Sequence, residues 1–553
     1  MTNADTTTPT QLKTGKPGFR LRRMYIHPVI LMMGTVIFII AFDNVTFWTK
    51  GFKIFPENLG QFAVLVLAVF FLFMAILSIF GGRRVVRPAM AFFLILSAVS
   101  SYYVDKLGVV IDREMIQNVV TTTYNEGKHL ITLSFIMHVV IYGILPSLVV
   151  FWFKVRPGKL WKGLLGNIGL FALCFALAVG LLLTNFKTYA SIFRDQKDLM
   201  GSFQPGAPIA GTARYIKLIY RAKNVVVAEI GLDAKKGPDL ASAPKPVLSI
   251  VVIGETARSQ NFSLNGYERE TNAYTSKLPM VSFTDVSSCG TATAVSMPCL
   301  FSKYDRASYS YTKGISTENV LDVLNRAGVT VKWWDNNTGS KGIADRVEYI
   351  NFEGTDDPEF CGTGECNDGI YQQRLEEYAN NITEDTVLVF HLIGSHGPTY
   401  YLRYPDEFEV FTPPCRTADF QYCTAQEVVN SYDNSILYTD YVLSKMVEFL
   451  AKQDNVISSL VYLSDHGESL GEGGLYLHGS PYMFAPDTQT KVPMQVWLSQ
   501  AYQRQFRIDQ ACLEENKNDP ISHAYVFSSI LGLMDIQTDV RQNKLDIFSQ
   551  CKT

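Results

Sequence analysis

The first third of the chain has almost no cysteine and little charge. Of nine cysteines in 553 residues, none precedes Cys174 and eight follow it. Charged residues make up 18% of the chain against 47% hydrophobic residues, which is too little charge for a wholly soluble protein. The formal net charge of −3 is close to balance, so nothing in the composition indicates the basic surface that nucleic acid requires, and we expect no nucleic-acid partner.

Long runs without charge predict a membrane domain. Gln61 to Gly81 contains no charged residue and is long enough to cross the roughly 30 Å hydrocarbon core as a helix. Five such spans are predicted near residues 26–47, 61–81, 86–104, 132–153 and 163–184. No small-residue cleavage site closes the first run, which disfavours a cleaved signal peptide. We therefore predict an N-terminal segment at 1–24 and a five-helix transmembrane domain at 25–185.

Lysine and arginine are divided unevenly between the two sides of these spans. Twelve lie in the N-terminal segment and in the turns after the second and fourth spans: Lys13, Lys16, Arg20, Arg22, Arg23, Arg83, Arg84, Arg87, Lys154, Arg156, Lys159 and Lys162. Five lie in the opposite loops: Lys50, Lys53, Lys106, Arg113 and Lys128. Because the side rich in these residues is usually cytoplasmic, the N-terminus is predicted to be cytoplasmic and everything after Thr184 to lie outside.

The eight later cysteines predict disulfides, because an even number in an exported domain usually pairs. No CxxC pair occurs, which disfavours a metal site formed by these cysteines. Short spacing predicts three pairs, Cys289–Cys299, Cys361–Cys366 and Cys415–Cys423. The two cysteines that remain form the fourth predicted pair, Cys512–Cys551.

Residues 186–245 are predicted to connect the two halves of the chain. Phe186 to Met200 has the pattern of an amphipathic helix on the membrane surface. Gly201 to Gly211 and Lys235 to Pro246 are rich in glycine, proline or alanine, and we interpret both as linkers.

From residue 246 to 553, apolar runs alternate with helical patterns, which predicts an α/β domain with helices on both faces of a largely parallel sheet. The predicted strands are Val247–Ile253, Val329–Trp334, Thr386–Ile393, Ile457–Ser464 and Met494–Leu498. The predicted helices are Thr317–Ala327, Tyr371–Asn380 and Val428–Lys452.

Reactive side chains collect after these strands, where parallel sheets place their ligands. Glu255 follows the first strand, His396 the third, and Asp465 and His466 the fourth, with His478 in a later glycine-rich loop. Carboxylate oxygen and imidazole nitrogen are donors that zinc takes, so these strand ends favour a metal-assisted reaction.

Hydroxyl groups add to this picture. Thr291 and Thr293 lie in a small-residue stretch between Cys289 and Cys299, before a possible helix start where phosphate would also bind. Alone, the stretch is equally compatible with a threonine-capped helix closed by a disulfide.

Several residues have a simpler reading. His391, inside a strand, and His523, in a helical pattern, are predicted to be core histidines, and Trp333 and Trp334 to be core side chains. Asn337 and Lys341 follow a strand and suit either a solvated turn or a phosphate site.

The loop between the third and fourth spans holds Asn118, Thr122 and Glu126, four residues apart. A helix would place them on one face. From the residues alone, an ordinary solvated face explains this spacing better than a binding site.

Taken together, the motifs resemble those of the lipid A phosphoethanolamine transferases, which include the mobile colistin-resistance enzymes. The matching pieces are Val252–Arg258, Cys289–Ala294, Asn337–Gly342, His391–Pro398, Ser464–Glu472 and Leu477–Gly479. Five spans followed by a catalytic domain are also this family's layout. The chain departs from the family pattern in Ala292, where several relatives have serine, and in the close spacing of Cys361 and Cys366.

The resemblance implies a catalytic domain of the alkaline phosphatase and sulfatase superfamily, in the periplasm of a bacterium, on a monomeric inner-membrane protein. It implies that Thr293 is the nucleophile and that Glu255, Thr293, Asp465 and His466 hold a catalytic zinc. It implies that Asn337, Lys341, His396 and His478 bind the phosphate of phosphoethanolamine or a second zinc. It also implies that Asn118, Thr122 and Glu126 bind the lipid head group, which reverses the simpler interpretation of that loop as a solvated face.

The implied reaction moves phosphoethanolamine from phosphatidylethanolamine to Thr293 and then to a lipid A phosphate. This adds an ammonium group to lipid A and gives polymyxin resistance. Three alternatives remain: transfer to a core sugar or a periplasmic glucan, glycerophosphate transfer, and a membrane sensor that binds zinc without turnover. A sulfatase is disfavoured, because Leu300 and Phe301 follow Cys299 where Cys-x-Pro-x-Arg would be needed.

Overall fold

The computed structural model describes residues 23–553, apart from 157–159, 196, 223–224, 353, 356 and 363–364. The side chains of residues 125, 126, 160, 195 and 197 also fall outside the description. Most of the predicted N-terminal segment, and Lys159 in the turn after the fourth predicted span, therefore lie outside the described residues.

The N-terminal half is helical. Within the described ranges, four helices are long and apolar enough to cross a membrane, and a bent pair makes up to five spans. The helices of this half are α1 (Pro28–Phe42), α2 (Val45–Ile54), α3 (Leu59–Ser78), α4 (Val86–Leu107), α5 (Arg113–Thr121), α6 (Leu133–Trp152) and α7 (Leu160–Thr184).

The bent pair is the first predicted span, which is not one straight helix. Helices α1 and α2 meet at a 67° bend. At the break, Asn44 donates from Nδ2 to the carbonyl groups of Ile39, at 2.9 Å, and Gln204, at 3.1 Å. The Ile39 carbonyl also accepts from the backbone amide of Asp43 at 3.0 Å, so the Asn44 side chain adds a link between the end of α1 and the chain at Gln204.

The segment after α7 is more regular than predicted. It forms α8 (Phe186–Asp195), α9 (Lys197–Gly201) and α10 (Gly206–Ala222). The prediction of a linker at Gly201–Gly211 is therefore wrong for its second half. A Cβ on Gly211 would come within 2.8 Å of the Asp112 carbonyl oxygen, so this glycine serves close packing of α10 on the start of α5.

The predicted linker at Lys235–Pro246 also belongs to the soluble domain. Lys235 and Lys236 pair with Gln537 and Ile536 as a two-stranded antiparallel ribbon. Leu240, only 2% exposed, is part of the domain's hydrophobic core. The soluble domain thus begins before residue 246, because Lys235 and Lys236 pair with its C-terminal part.

An eight-stranded mixed sheet forms the centre of the soluble domain in the described residues. Its strands are β1 (Val247–Gly254), β2 (Val281–Ser287), β3 (Thr330–Asp335), β4 (Glu348–Asn351), β5 (Thr386–His391), β6 (Ile457–Ser464), β7 (Lys491–Leu498) and β8 (Ile521–Ser522). Their order is β8-β2-β7-β6-β1-β5-β3-β4, and only β7 runs against its neighbours among these strands.

Both faces of the sheet are covered. Val251 and Ile253 of β1 pack into one core cluster, and Ile250 and Val252 pack into the other. The helices that cover the sheet and its ends are α11 (Thr293–Leu300), α12 (Val320–Arg326), α13 (Ile370–Ala379), α14 (Ala425–Leu450), α15 (Gln500–Phe506), α16 (Gln510–Glu515) and α17 (Val526–Leu533). The predicted α/β architecture is therefore confirmed, with all five predicted strands and three predicted helices present within a few residues.

Candidate active site and metal centre

Glu255, Asp465 and His466 meet because they follow two neighbouring parallel strands. Gly254 at the end of β1 pairs in register with Ser464 at the end of β6, so the residues that come next lie side by side. All three side chains are completely buried. One ligand atom from each lies within 4.8 Å of the others.

Thr293 completes this cluster. Its Oγ1 lies 3.1 Å from each carboxylate oxygen of Glu255 and 3.3 Å from Nε2 of His466. Thr293 is the first residue of α11, after Ala292 in an extended conformation, and is 4% exposed. The hydroxyl group therefore lies at the positive end of a helix, where developing negative charge on oxygen is stabilised.

Asn337 joins the site from the loop after β3. Its Nδ2 donates to Oε2 of Glu255 at 2.8 Å and to the Leu392 carbonyl at 2.9 Å. The amide fixes one Glu255 oxygen and leaves the other facing His466.

His391 is fully buried, as predicted for a core histidine, but it lies beside the cluster. Its Nδ1 is 3.0 Å from Oδ2 of Asp335 and its Nε2 is 3.9 Å from Oε2 of Glu255. Burial opposes the charged imidazole, but the charge of Asp335, its hydrogen bond to His391 and the charges of Glu255 and Asp465 together outweigh burial and raise the pKa of His391. Sequence reasoning missed Asp335, although it ends β3 two residues before Asn337.

His396 and His478 lie next to the cluster on its open side. The ring centres of His466 and His478 are 4.5 Å apart, and those of His396 and His478 are 5.8 Å apart. Glu468 holds His478, with its Oε2 2.8 Å from Nδ1, and Tyr400 donates to its Oε1 at 2.6 Å. No role was predicted for Glu468; its position two residues after His466 was the available signal.

The remaining predicted residues make local contacts. Lys341 donates from Nζ to the carbonyl and the hydroxyl oxygen of Thr338, both at 2.7 Å. Helix α5 ends before Thr122, whose Oγ1 donates to the Asn118 carbonyl at 2.8 Å, so the predicted helix face does not continue to residue 126. The side chain of Glu126 lies outside the described part of the chain.

Gln117 of α5, which sequence reasoning did not single out, contacts α11. Its Nε2 donates to the carbonyl oxygen of Ala294 at 3.3 Å. Met115 on the same helix packs against Gly479, directly after His478.

The donor set fits a divalent metal ion such as zinc. Oδ2 of Asp465 is buried without a hydrogen bond from any described residue, which is costly unless a cation is present. Nδ1 of His466 lies 2.9 Å from the Gly467 carbonyl, so this nitrogen carries hydrogen and Nε2 faces the cluster. Two carboxylates and one imidazole nitrogen are donors that zinc binds.

The pKa shifts follow from this crowding. Burial and the charge of Glu255 raise the pKa of Asp465 to about 6. Burial opposes the charged form of Glu255, but His466, His396 and His478 together outweigh burial, and the pKa of Glu255 falls well below its usual range. Burial also opposes the charged form of His466, but Asp465 and Glu255 together outweigh it, and the pKa of His466 rises to about 10. Two carboxylates in one buried space repel each other, and a bound cation would relieve that repulsion.

Four disulfides support the loops around the sheet: Cys289–Cys299, Cys361–Cys366, Cys415–Cys423 and Cys512–Cys551. The first one spans Thr293 and closes the turn on which α11 begins. Cys174 is buried in α7 without a disulfide partner.

A buried threonine hydroxyl beside two carboxylates and a histidine, at the carboxyl ends of a mainly parallel sheet, indicates a sulfatase-like domain, here carried by membrane helices. The sulfatase family model matches residues 248–536. The model described as phosphoethanolamine transferase EptA/EptB matches residues 69–220.

Full-length relatives show the family. Phosphoethanolamine transferase EptA of Escherichia coli K12 is 40% identical, over 92% of this chain and 94% of its own. Phosphatidylethanolamine transferase Mcr-1 of Escherichia coli is 34% identical, over 94% and 96%. The solved structure of lipooligosaccharide phosphoethanolamine transferase A from Neisseria meningitidis matches with a TM-score of 0.91 and 33% identity, over 96% and 99%. The chain belongs to the EptA family of phosphoethanolamine transferases.

Proposed function

We propose that this protein transfers phosphoethanolamine from phosphatidylethanolamine to a phosphate of lipid A through a covalent intermediate on Thr293. The position of the Thr293 hydroxyl carries the proposal, because it lies 3.1 Å from Glu255 and 3.3 Å from His466 at the start of a helix. The names of two relatives, a phosphatidylethanolamine transferase and a lipooligosaccharide phosphoethanolamine transferase, support the donor and the class of acceptor.

Glu255, Asp465 and His466, together with Thr293, are the residues that would hold zinc. Bound there, zinc would lower the pKa of the Thr293 hydroxyl and offset negative charge on the phosphoryl oxygens. Asn337 and His391 keep Glu255 in place, and Glu468 keeps His478 in place.

In the first step, the Thr293 oxygen bonds to the phosphorus of the donor and the bond from phosphorus to the glycerol oxygen breaks. Diacylglycerol leaves with the proton that Thr293 gave up. In the second step, an oxygen of a lipid A phosphate bonds to the same phosphorus, and Thr293 leaves and regains a proton. His396, His478 and Lys341 stabilise the charge that spreads over the phosphoryl oxygens.

The membrane domain supports lipid substrates. An apolar cavity of about 1270 Å³ extends from Leu72 and Ile76 of α3 along α10 to Pro481 and Phe484 of the soluble domain. Phe484 lies six residues after His478 in the chain, and we assign the acyl chains of the lipid substrates to this cavity. We assign the protein to the bacterial inner membrane with a cytoplasmic N-terminus and a periplasmic site.

The product would carry an added ammonium group on lipid A. That group weakens the attraction between the outer membrane and cationic peptides such as polymyxin. Expression of the protein would therefore raise resistance to colistin.

Mass spectrometry of the purified protein after incubation with phosphatidylethanolamine tests the proposal. We expect a phosphoethanolamine adduct on Thr293, with release of diacylglycerol, and none in Thr293→Ala. Thr291→Ala is the matched control, because the Thr291 hydroxyl donates to the Ser480 carbonyl at 2.6 Å instead of facing Glu255. Lipid A mass spectra from expressing cells then identify the acceptor, and a zinc-loaded protein without adduct would overturn the proposal.

A further inference from the structure

A cleft of about 290 Å³ lies between α5 of the membrane half and the soluble domain, beside the helix that Thr293 begins. We call it the arginine cleft. Its walls include Arg113, Glu114, Gln117, Ala294, Arg306 and Tyr309. Ala294, which lines the cleft, directly follows Thr293. The cleft therefore lies close to Thr293, because consecutive Cα atoms are only about 3.8 Å apart.

The arginine cleft carries a net positive charge. The guanidinium group of Arg113 forms an ion pair with Glu114 at 2.7 Å, so these two charges offset each other. Arg306 has no carboxylate within ion-pair distance among the described residues, and its guanidinium group lies 4.4 Å from the ring centre of Tyr482. The neighbouring carboxylate, Asp305, is instead turned to the backbone and hydroxyl of Ser308.

The geometry is suited to an anionic group rather than an apolar one. A planar guanidinium stacked on a tyrosine ring keeps its N–H edge available for bidentate contact with phosphate or carboxylate. Gln117 and Tyr309 supply further polar groups beside it. The volume of about 290 Å³ admits a phosphate and part of a sugar ring.

The charge of the two substrates decides which of them the cleft serves. Phosphatidylethanolamine has a single phosphate, which must lie at Thr293 to react. A separate anion site beside Thr293 is therefore useful only to a substrate with more than one anionic group, such as lipopolysaccharide. We propose that the arginine cleft binds a second, non-reacting anionic group on the sugars of the acceptor, and that Arg306 is its main contact.

This inference rests on the proposed function and predicts which half of the reaction depends on Arg306. Arg306→Ala should form the Thr293 adduct within about twofold of the wild-type rate. Its kcat/KM for transfer to lipid A should fall roughly 10- to 100-fold, mainly through KM, as expected for loss of a hydrogen-bonded charge. Arg306→Lys should recover part of this loss, since it keeps the charge and loses the bidentate geometry.

The experiment uses the full-length protein in mixed micelles with fluorescent phosphatidylethanolamine and either bisphosphorylated or monophosphorylated lipid A. Wild type should prefer the bisphosphorylated acceptor about tenfold or more, and Arg306→Ala should lose this preference. Lys303→Ala is the matched control, because Lys303 is a cation three residues away whose Nζ lies 5.5 Å from the ring centre of Tyr304, outside the cleft walls.

Three results are distinguishable. Wild-type behaviour of Arg306→Ala on both acceptors would overturn the inference, and so would an equal loss in diacylglycerol release, which would assign the cleft to the donor. Absence of the Thr293 adduct in the wild type would instead overturn the proposed function itself. Thermal unfolding of each variant, measured in the same micelles, checks that a loss of transfer is not a loss of fold.

Discussion

Gln117 and Ala294 are 177 residues apart in the chain and share a hydrogen bond of 3.3 Å. The donor lies on a helix between two membrane spans, and the acceptor directly follows Thr293, the proposed nucleophile. This bond therefore fixes α11 with respect to the membrane half of the protein.

Loss of this bond should slow catalysis without unfolding the soluble domain. Gln117→Leu keeps the bulk of the side chain and removes the donor, at a cost of about 1 kcal/mol. We expect a roughly fivefold lower transfer rate for the full-length protein in micelles. Val120→Ala, an exposed position on the same helix, is the control. An unchanged rate in Gln117→Leu would show that α5 does not position α11.

Metal binding should depend on Asp465. Asp465→Asn removes one carboxylate, so the purified protein should retain far less zinc by elemental analysis and form no Thr293 adduct. Glu472→Gln is the control, because Glu472 is paired with Arg258 at 2.6 Å and belongs to no ligand set in the described residues. Equal zinc content in Asp465→Asn and Glu472→Gln would exclude Asp465 as a ligand.

Chelation gives a second readout of the same site. A ligand that binds only the folded state stabilises it, so removal of zinc should lower the melting temperature by several degrees and zinc should restore it. In Asp465→Asn, added zinc should have little effect on melting. A full zinc response in this variant would place the ion elsewhere.

Glu468 should act on catalysis through His478. Glu468→Gln preserves shape but removes the charge that faces Nδ1 of His478 at 2.8 Å. Residues that orient a site histidine through a hydrogen bond usually contribute 10- to 100-fold to activity. We expect a loss of about that size in kcat, with little change in KM. Tyr400→Phe, which removes only the donor to the other Glu468 oxygen, should have a smaller effect. If Tyr400→Phe costs as much as Glu468→Gln, the charge on Glu468 is not the important feature.

His523 should make the fold sensitive to mild acid. Its Nδ1 accepts from the Cys289 amide at 3.1 Å, its Nε2 lies 3.0 Å from the Ser464 carbonyl, and burial lowers its pKa to about 3. In the unfolded chain, the pKa of His523 is near 6.5. Between about pH 3 and pH 6.5, His523 is therefore protonated in the unfolded chain and neutral in the folded one. The contribution of His523 to the free energy of unfolding should therefore be constant above pH 6.5 and fall by about 1.4 kcal/mol per unit below it.

Melting temperatures of the wild type and of His523→Gln at about pH 5 and about pH 7.5 measure this effect. The difference between the two proteins isolates His523, because both contain the shifted groups Asp465 and His466. His523→Gln cannot take up the proton, so its melting temperature should change less between the two pH values. The same change in both proteins would assign the acid sensitivity to other groups.

The sequence could predict that Glu255, Asp465 and His466 lie together, because the sheet determines their positions. Continuous apolar runs identify β1 and β6 as buried parallel strands, and Glu255, Asp465 and His466 must then follow at one edge. The partners of these residues could not be predicted in this way. Asp335 and Glu468 contact His391 and His478 through tertiary packing, which leaves no periodic signal in the sequence.

Two features of the fold were hidden for a similar reason. Glycine and proline near α10 suggest flexibility, yet Gly211 is small because another part of the backbone approaches it closely. Strand β4 is exposed along its whole length, so it lacks the apolar run that revealed the other parallel strands. In both cases, the deciding contact comes from residues far away in the sequence.

The ribbon between Lys235–Lys236 and Ile536–Gln537 bears on where the soluble domain can be cut free for recombinant work. A fragment that starts at residue 246 would lose this ribbon and Leu240, and also Ile230, whose amide donates to Glu318 at 2.9 Å. Such a fragment would expose one side of its core to water and tend to aggregate. A fragment that starts near Val225 would keep these layers, but without α5 it would have only one wall of the arginine cleft.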